Sequence, residues 1–192
     1  MYTRSRQLLS YSLIISFLIL LLSAADGRHT IQWDENTKLT WANFKDTLIT
    51  GSNRAAETYS GFKMDFAQSS QNSATITIYS EMDPARSWVD STKKNDYLLS
   101  HEQYHFNITE YWTRKLRQDI LATRFTTKNL KETLTELRKE TLRQSREMQK
   151  EYDADTKHSL LKDQQKKWEK RIDELLKETE KYTDVSINIS IK

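Results

Sequence analysis

The sequence predicts an α+β domain: a small, mostly antiparallel sheet packed on one helix, with a long charged helical hairpin beside it. Three observations lead there. Ala74-Thr75-Ile76-Thr77-Ile78-Tyr79 and Asp184-Val185-Ser186-Ile187-Asn188-Ile189-Ser190-Ile191 alternate with the period of two expected of half-buried strands. Residues 97–121 carry apolar side chains at spacings of three and four with neither Gly nor Pro. Beyond residue 126 two charge-rich stretches carry leucines at spacings near 3.5.

Taken in order, the chain of 192 residues opens on a basic stretch, Met1 to Arg6, followed by an apolar run from Leu8 to Leu22 and the small residues Ser23-Ala24-Ala25. That is the layout of a secretory signal peptide over residues 1–25, with an uncleaved signal anchor as the alternative. Residues 26–192 then form a single exported domain, periplasmic or extracellular. No second apolar run follows, so no membrane association is expected after cleavage. With no cysteine, the domain is held by its core and by any metal it binds, without disulfides. The net charge of +3 comes from interleaved Lys/Arg and Asp/Glu, which argues against a nucleic-acid surface.

Short strands are expected at Ile31-Gln32-Trp33 and Lys38-Leu39-Thr40-Trp41, a loop at Gly51-Ser52-Asn53, loose alternation from Ala55 to Phe66, and a hairpin loop at Ser69–Ser73. Pro84, the only proline, ends the sheet. The helix beginning at Tyr97 runs to about Leu121, with Leu98, His101, His105, Ile108, Trp112 and Leu116 as its buried stripe. A second helix is expected over Thr126–Gln149 and a third over Leu160–Tyr182, pairing as a packing scaffold. The alternating C-terminal stretch returns as the last strand of the N-terminal sheet.

The chemistry sits in the first helix, which contains His101-Glu102-Gln103-Tyr104-His105. Histidines four apart point the same way on a helix and can grip one zinc ion. Glu102, about 100° round the helix from His101, is placed as a general base for a zinc-activated water. A catalytic zinc needs a third protein ligand and an open position. His158 ranks first for that role, in Tyr152-Asp153-Ala154-Asp155-Thr156-Lys157-His158, a polar segment read as a turn between the two charged helices. Asp153 or Asp155 come next. Glu110, five residues past His105 and about 140° round the helix, comes last. Tyr152 and Tyr104 are the candidate oxyanion donors or supports of the ligands.

Several motifs fall in a familiar order: Leu39-x-Trp41-x-x-Phe44, Ala55-Ala56, Ser87-Trp88-Val89, Leu98-Leu99-x-His101-Glu102-Gln103-x-His105-Phe106, Tyr152-Asp153-x-x-Thr156-x-His158 and Gln164-x-x-x-Trp168. Together they resemble an uncharacterised bacterial family of predicted secreted zinc-dependent proteases, carried as a domain of unknown function within the broad His-Glu-x-x-His metallopeptidase group. The resemblance implies His101 and His105 as zinc ligands and Glu102 as catalytic base. It also implies that the Tyr152–His158 motif supplies the third ligand and a supporting carboxylate. Two positions depart from the pattern: Asn107 stands where an Asp is expected after the Phe, and Ser159 where a Gly is usual. The expectation is therefore a secreted peptidase holding one Zn2+ per chain and acting on a peptide or protein substrate. The alternatives are a zinc amidase on cell-wall peptides and a non-catalytic envelope protein with a metal-braced helical module.

Overall fold

The computed structural model describes residues 29–47 and 54–192. The expected signal peptide and the Gly51–Asn53 loop lie outside the described residues. Among those residues no helix is long and apolar enough to cross a membrane.

The sheet is built on one long hairpin. Strand β1 (Ile31–Gln32) comes first; β2 (Ala56–Glu57) is a second short strand; β3 (Ser60–Ser70) and β4 (Ser73–Met82) then pair antiparallel from Ser60↔Met82 to Ser70↔Ser73. Strand β5 (Trp88–Val89) pairs antiparallel with β2, as a separate two-stranded piece. Helices α1 (Asp96–Ala122), α2 (Leu130–Thr156) and α3 (Lys162–Glu178) follow. Strand β6 (Ser186–Ser190) closes the chain by pairing antiparallel with the first half of β4, while β1 pairs with its last two residues. β4 is thus the central strand, and the return of the C-terminal strand agrees with the alternation there.

Alternate residues of β4 explain why the sheet needs α1. Ala74, Ile76, Ile78, Ser80 and Met82 are buried while their neighbours face outward. Ile187 and Ile189 of β6 join them, and Leu116, Ile120, Phe125 and Leu134 cover this face. The other side of α1 meets α2 and α3 through Ile108, Met148, Tyr152, Trp168 and Ile172. Covered on both sides, α1 buries charged residues as well as its apolar stripe. The two charged helices pack on each other, as expected of the hairpin, and each also packs on α1.

Two local expectations are corrected. Lys38–Trp41 is not a strand: the Leu39 N–H donates to Gln103 Oε1 (2.8 Å), and Asn43 caps a 3-10 turn at Trp41–Asn43 by accepting from the Thr40 N–H (2.7 Å). Side chains there take the backbone groups a ladder would need. The second correction matters more for function. α2 does not stop near Gln149 but continues through Thr156, so Tyr152, Asp153 and Asp155 are helical and only residues from Lys157 onward turn. Its start is later too, at Leu130, and ahead of it Thr126 and Asn129 bond each other's backbone (2.8 and 3.2 Å).

Candidate metal centre

Asn95 starts the helix that carries the motif: its side chain accepts the Leu98 N–H at 2.9 Å. One turn later His101 and His105 project together, with ring centroids 4.7 Å apart. α2 crosses α1 so that Asp153 meets them. Asp153 Oδ1 lies 3.2 Å from His101 Nε2 and 3.0 Å from His105 Nε2, and the two Nε2 atoms are 3.1 Å apart. Ligands held about 2 Å from a tetrahedral ion are separated by about 3.3 Å, so the three donor atoms already stand at nearly the edge length such an ion requires. His101, His105 and Asp153 form a cluster that could hold a metal ion.

The hydrogen bonds around His105 fix its tautomer. Gln149 is one turn before Asp153 on α2; its Nε2 donates to the His105 carbonyl (2.8 Å) and to Thr109 Oγ1 (3.3 Å). Its Oε1 is therefore the acceptor for His105 Nδ1–H, which leaves the Nε2 lone pair facing the cluster. Lone pairs of two imidazoles and a carboxylate cannot converge without a cation between them. In the absence of metal, a proton takes this place. Burial pushes His101 down to about 4. Burial also opposes charge on His105, but the bond to Asp153 and that carboxylate's charge outweigh it and raise His105 to about 9. Burial pushes Asp153 up, yet its hydrogen bonds to His101 and His105 hold it far below the ordinary carboxylate range.

Glu102 sits beside the cluster and is buried, 2 % exposed. Burial raises its pKa, against the opposing effects of His105 and of the Thr58 hydroxyl, which donates to Glu102 Oε2 at 2.7 Å. The Glu102 side chain also lines a cavity. That cavity, about 180 Å³, is lined by Ala56, Thr58, Leu98, Gln149 and His158 along with the cluster itself. In the β2–β5 pair the Asp90 N–H donates to the Ala55 carbonyl, with Ala56 opposite Val89. In an antiparallel pair that register turns the N–H and C=O of Ala56 away from β5, and among the described residues no strand pairs with that edge.

The remaining sequence candidates separate cleanly. His158 lines the cavity, 44 % exposed in its side chain, with Nδ1 3.3 Å from Asp153 Oδ1. It stands within ion-pair distance of the cluster's carboxylate, whereas that carboxylate hydrogen-bonds both motif histidines. Asp155 turns away and accepts from Trp168 Nε1 (3.0 Å). Tyr104 directs its hydroxyl to Asp173, 3.0–3.1 Å off, outside the cavity. Tyr152 stacks its ring on His101 (centroids 4.5 Å, 24°), with a hydroxyl fully buried behind it. Glu110 is engaged by Ser80, Arg114 and Arg117, away from the cluster. Asn107, about 200° round α1 from His105, accepts from Trp33 and Gln103 (2.9 and 3.1 Å) and bonds neither imidazole. Gln149, and not Asn107, orients the His105 imidazole. The backbone of Lys157, His158 and Ser159 is left-handed throughout, φ 48°, 52° and 71°. A glycine at 159 would fit that turn without the steric cost that Ser159 bears.

Residues 53–159 match the model of a family described as bacterial proteins of unknown function (DUF922). The match covers more than half of the chain. The chain belongs to DUF922. No curated protein and no solved structure matches it. The DUF922 segment runs from just before β2 to the left-handed turn, so it contains the whole cluster, Glu102, Thr58, Gln149 and the β2 edge; α3 and β6 lie beyond it.

Sequence reasoning missed Thr58 and Gln149. Thr58 carries no local signal, being 44 residues from its partner Glu102. Gln149 was within reach: with α2 extended to Thr156 it is four before Asp153, on the same face.

Proposed function

We propose that this protein is an exported zinc-dependent peptidase with His101, His105 and Asp153 as metal ligands and Glu102 as general base. The observation that carries the reading is the tetrahedral spacing of three N/O donors at 3.0–3.2 Å with a buried carboxylate beside them and a cavity in front. Two imidazoles, one carboxylate and an open side suit a hydrolytic zinc, which supplies Lewis acidity toward a water and a carbonyl oxygen. The protein's own part follows from where its groups point. Glu102, with Oε2 occupied by Thr58, takes the proton of the attacking water on Oε1. It then returns that proton to the leaving amine. Burial, which raises its pKa, makes it a stronger base for the first transfer. The outward N–H and C=O of Ala56 favour a peptide, since an extended backbone can pair with them as an added strand and lay a carbonyl over the cluster. The signal-like N-terminus supports export.

Glu102→Gln tests the reading. The purified variant should bind zinc as the parent does and lose cleavage of unfolded protein or cell-wall peptides by at least a hundredfold, on the scale of lost general-base catalysis of about 10²–10⁴. Equal cleavage by parent and variant would overturn it.

A further inference from the structure

The two ligand imidazoles are not supported alike. His105 Nδ1 has Gln149 as its partner. His101 Nδ1 is buried and has no hydrogen-bond partner among the described residues. Among the described residues three other buried side-chain atoms share that condition: Tyr97 Oη, Tyr152 Oη and Gln165 Oε1. All four belong to one neighbourhood. Tyr97 is one turn before His101 on the same face of α1, Tyr152 stacks on the His101 ring, and Gln165 Nε2 donates to the Tyr97 carbonyl (3.2 Å) and to Glu169 (2.9 Å). Unpaired buried polar atoms are rare in folded proteins, and four at a single three-helix junction share one explanation.

We infer that an internal water at the junction of α1, α2 and α3 accepts the Nδ1–H of His101 and makes Tyr152, Gln165 and Tyr97 positioning residues for the metal. The donor and acceptor inventory closes with such a water. Gln165 has spent its amide N–H groups and offers only a carbonyl oxygen, which takes a proton from the water. His101 offers only N–H when its Nε2 lone pair is aimed at Asp153 and His105. The two tyrosine hydroxyls, each donor and acceptor, fill the remaining places, and buried waters commonly make about three such bonds. The imidazole is then fixed with Nε2 free, as Gln149 fixes its neighbour. This rests on the metal reading proposed above, but its core, an ordered water on His101 Nδ1, does not.

The test joins a high-resolution crystal structure of the purified protein with zinc affinities of Tyr152→Phe and Gln165→Met, which keep the ring stack and the packing volume. The expected result is a water within hydrogen-bond distance of His101 Nδ1 and Gln165 Oε1. Zinc binding should weaken about tenfold or more in each variant, the usual effect of losing a group that orients a ligand. The double variant should bind no more weakly than the worse single one, since both act through one water. Direct bonding of the hydroxyls to His101 or Gln165 with no water, or unchanged zinc affinity in both folded variants, would overturn the inference. A parent that binds no zinc would instead remove the metal reading, and the crystal structure would still decide the water.

Discussion

Helix α1 buries charge in two places, and they differ in one respect. Around Glu110 every charge meets a fixed partner: its carboxylate takes Ser80, Arg114 Nε (2.9 Å) and Arg117 Nη1 (3.2 Å), while the two arginines also donate to the carbonyls of Leu176, Ile78 and Tyr182. Two turns earlier, donor atoms of His101, His105 and Asp153 lie 3.0–3.2 Å from one another as a group that could hold a metal ion, and Glu102 lines the cavity beside them. A buried charge whose partners are all covalently part of the fold ties elements together. A set of donors gathered from two helices that could hold an added cation is a candidate binding site. Residue types alone do not separate the two, since both are Glu-containing clusters on one helix; the partners do.

Crossing substitutions should break this comparison if it is wrong. The largest effect is expected from Asp153→Ala, which should weaken metal binding more than a hundredfold because it removes a direct ligand, whereas Glu110→Ala should leave metal affinity within a few-fold. The costs in stability should run the other way. Glu110→Ala leaves two buried guanidiniums short of a carboxylate and should cost about 3–5 kcal/mol, measured by urea unfolding. His158→Ala comes next. His158 stands beside Asp153, so its loss should weaken zinc binding about tenfold, less than Asp153→Ala by at least an order of magnitude. A loss as large as that of Asp153→Ala would make His158 the third ligand.

The proton that substitutes for the metal gives a further test. The folded pKa of His105, about 9, lies above its ordinary value of 6.5. The metal-free protein should therefore hold this contribution to stability in full below about pH 6.5 and lose it as pH rises toward 9. Zinc competes for the same place, so the loaded protein should not weaken over that range, and its affinity should fall as pH drops below 9. Parallel melting curves with and without zinc read both. The smallest effect is at the turn: Ser159→Gly should stabilise the protein by about 1 kcal/mol by relieving a left-handed non-glycine residue, and should leave metal affinity unchanged.

Much of this was legible in the sequence, because strong periodicity survives tertiary context. The alternation of 74–79 and 184–191 marks β4 and β6, and the motif helix was bounded to within a residue or so at either end. Glu110 was set aside by the turn angle of the helix, and its side chain is indeed engaged elsewhere. What was not legible depends on the fold. Tyr152–Thr156 reads as a turn because Asp and Thr favour caps, yet both aspartates there have tertiary partners and Thr156 bonds within the helix, so the helix goes on. Asp153 meets the histidines, Asp155 meets Trp168, and Thr156 bonds back to the Tyr152 carbonyl (2.7 Å). That extension turns Asp153 from an alternative into the residue that faces both imidazoles. Lys38–Trp41 failed for a related reason, its backbone N–H being claimed by Gln103, 64 positions on.

The central claim is a zinc ion held by His101, His105 and Asp153. X-ray absorption spectroscopy at the zinc edge, on protein loaded with one equivalent, tests it most directly. The account predicts two imidazole nitrogens and one carboxylate oxygen at about 2.0–2.2 Å with a fourth light atom, and loss of the carboxylate contribution in Asp153→Ala. Three imidazoles in the parent, or failure to retain one equivalent of zinc, would contradict it.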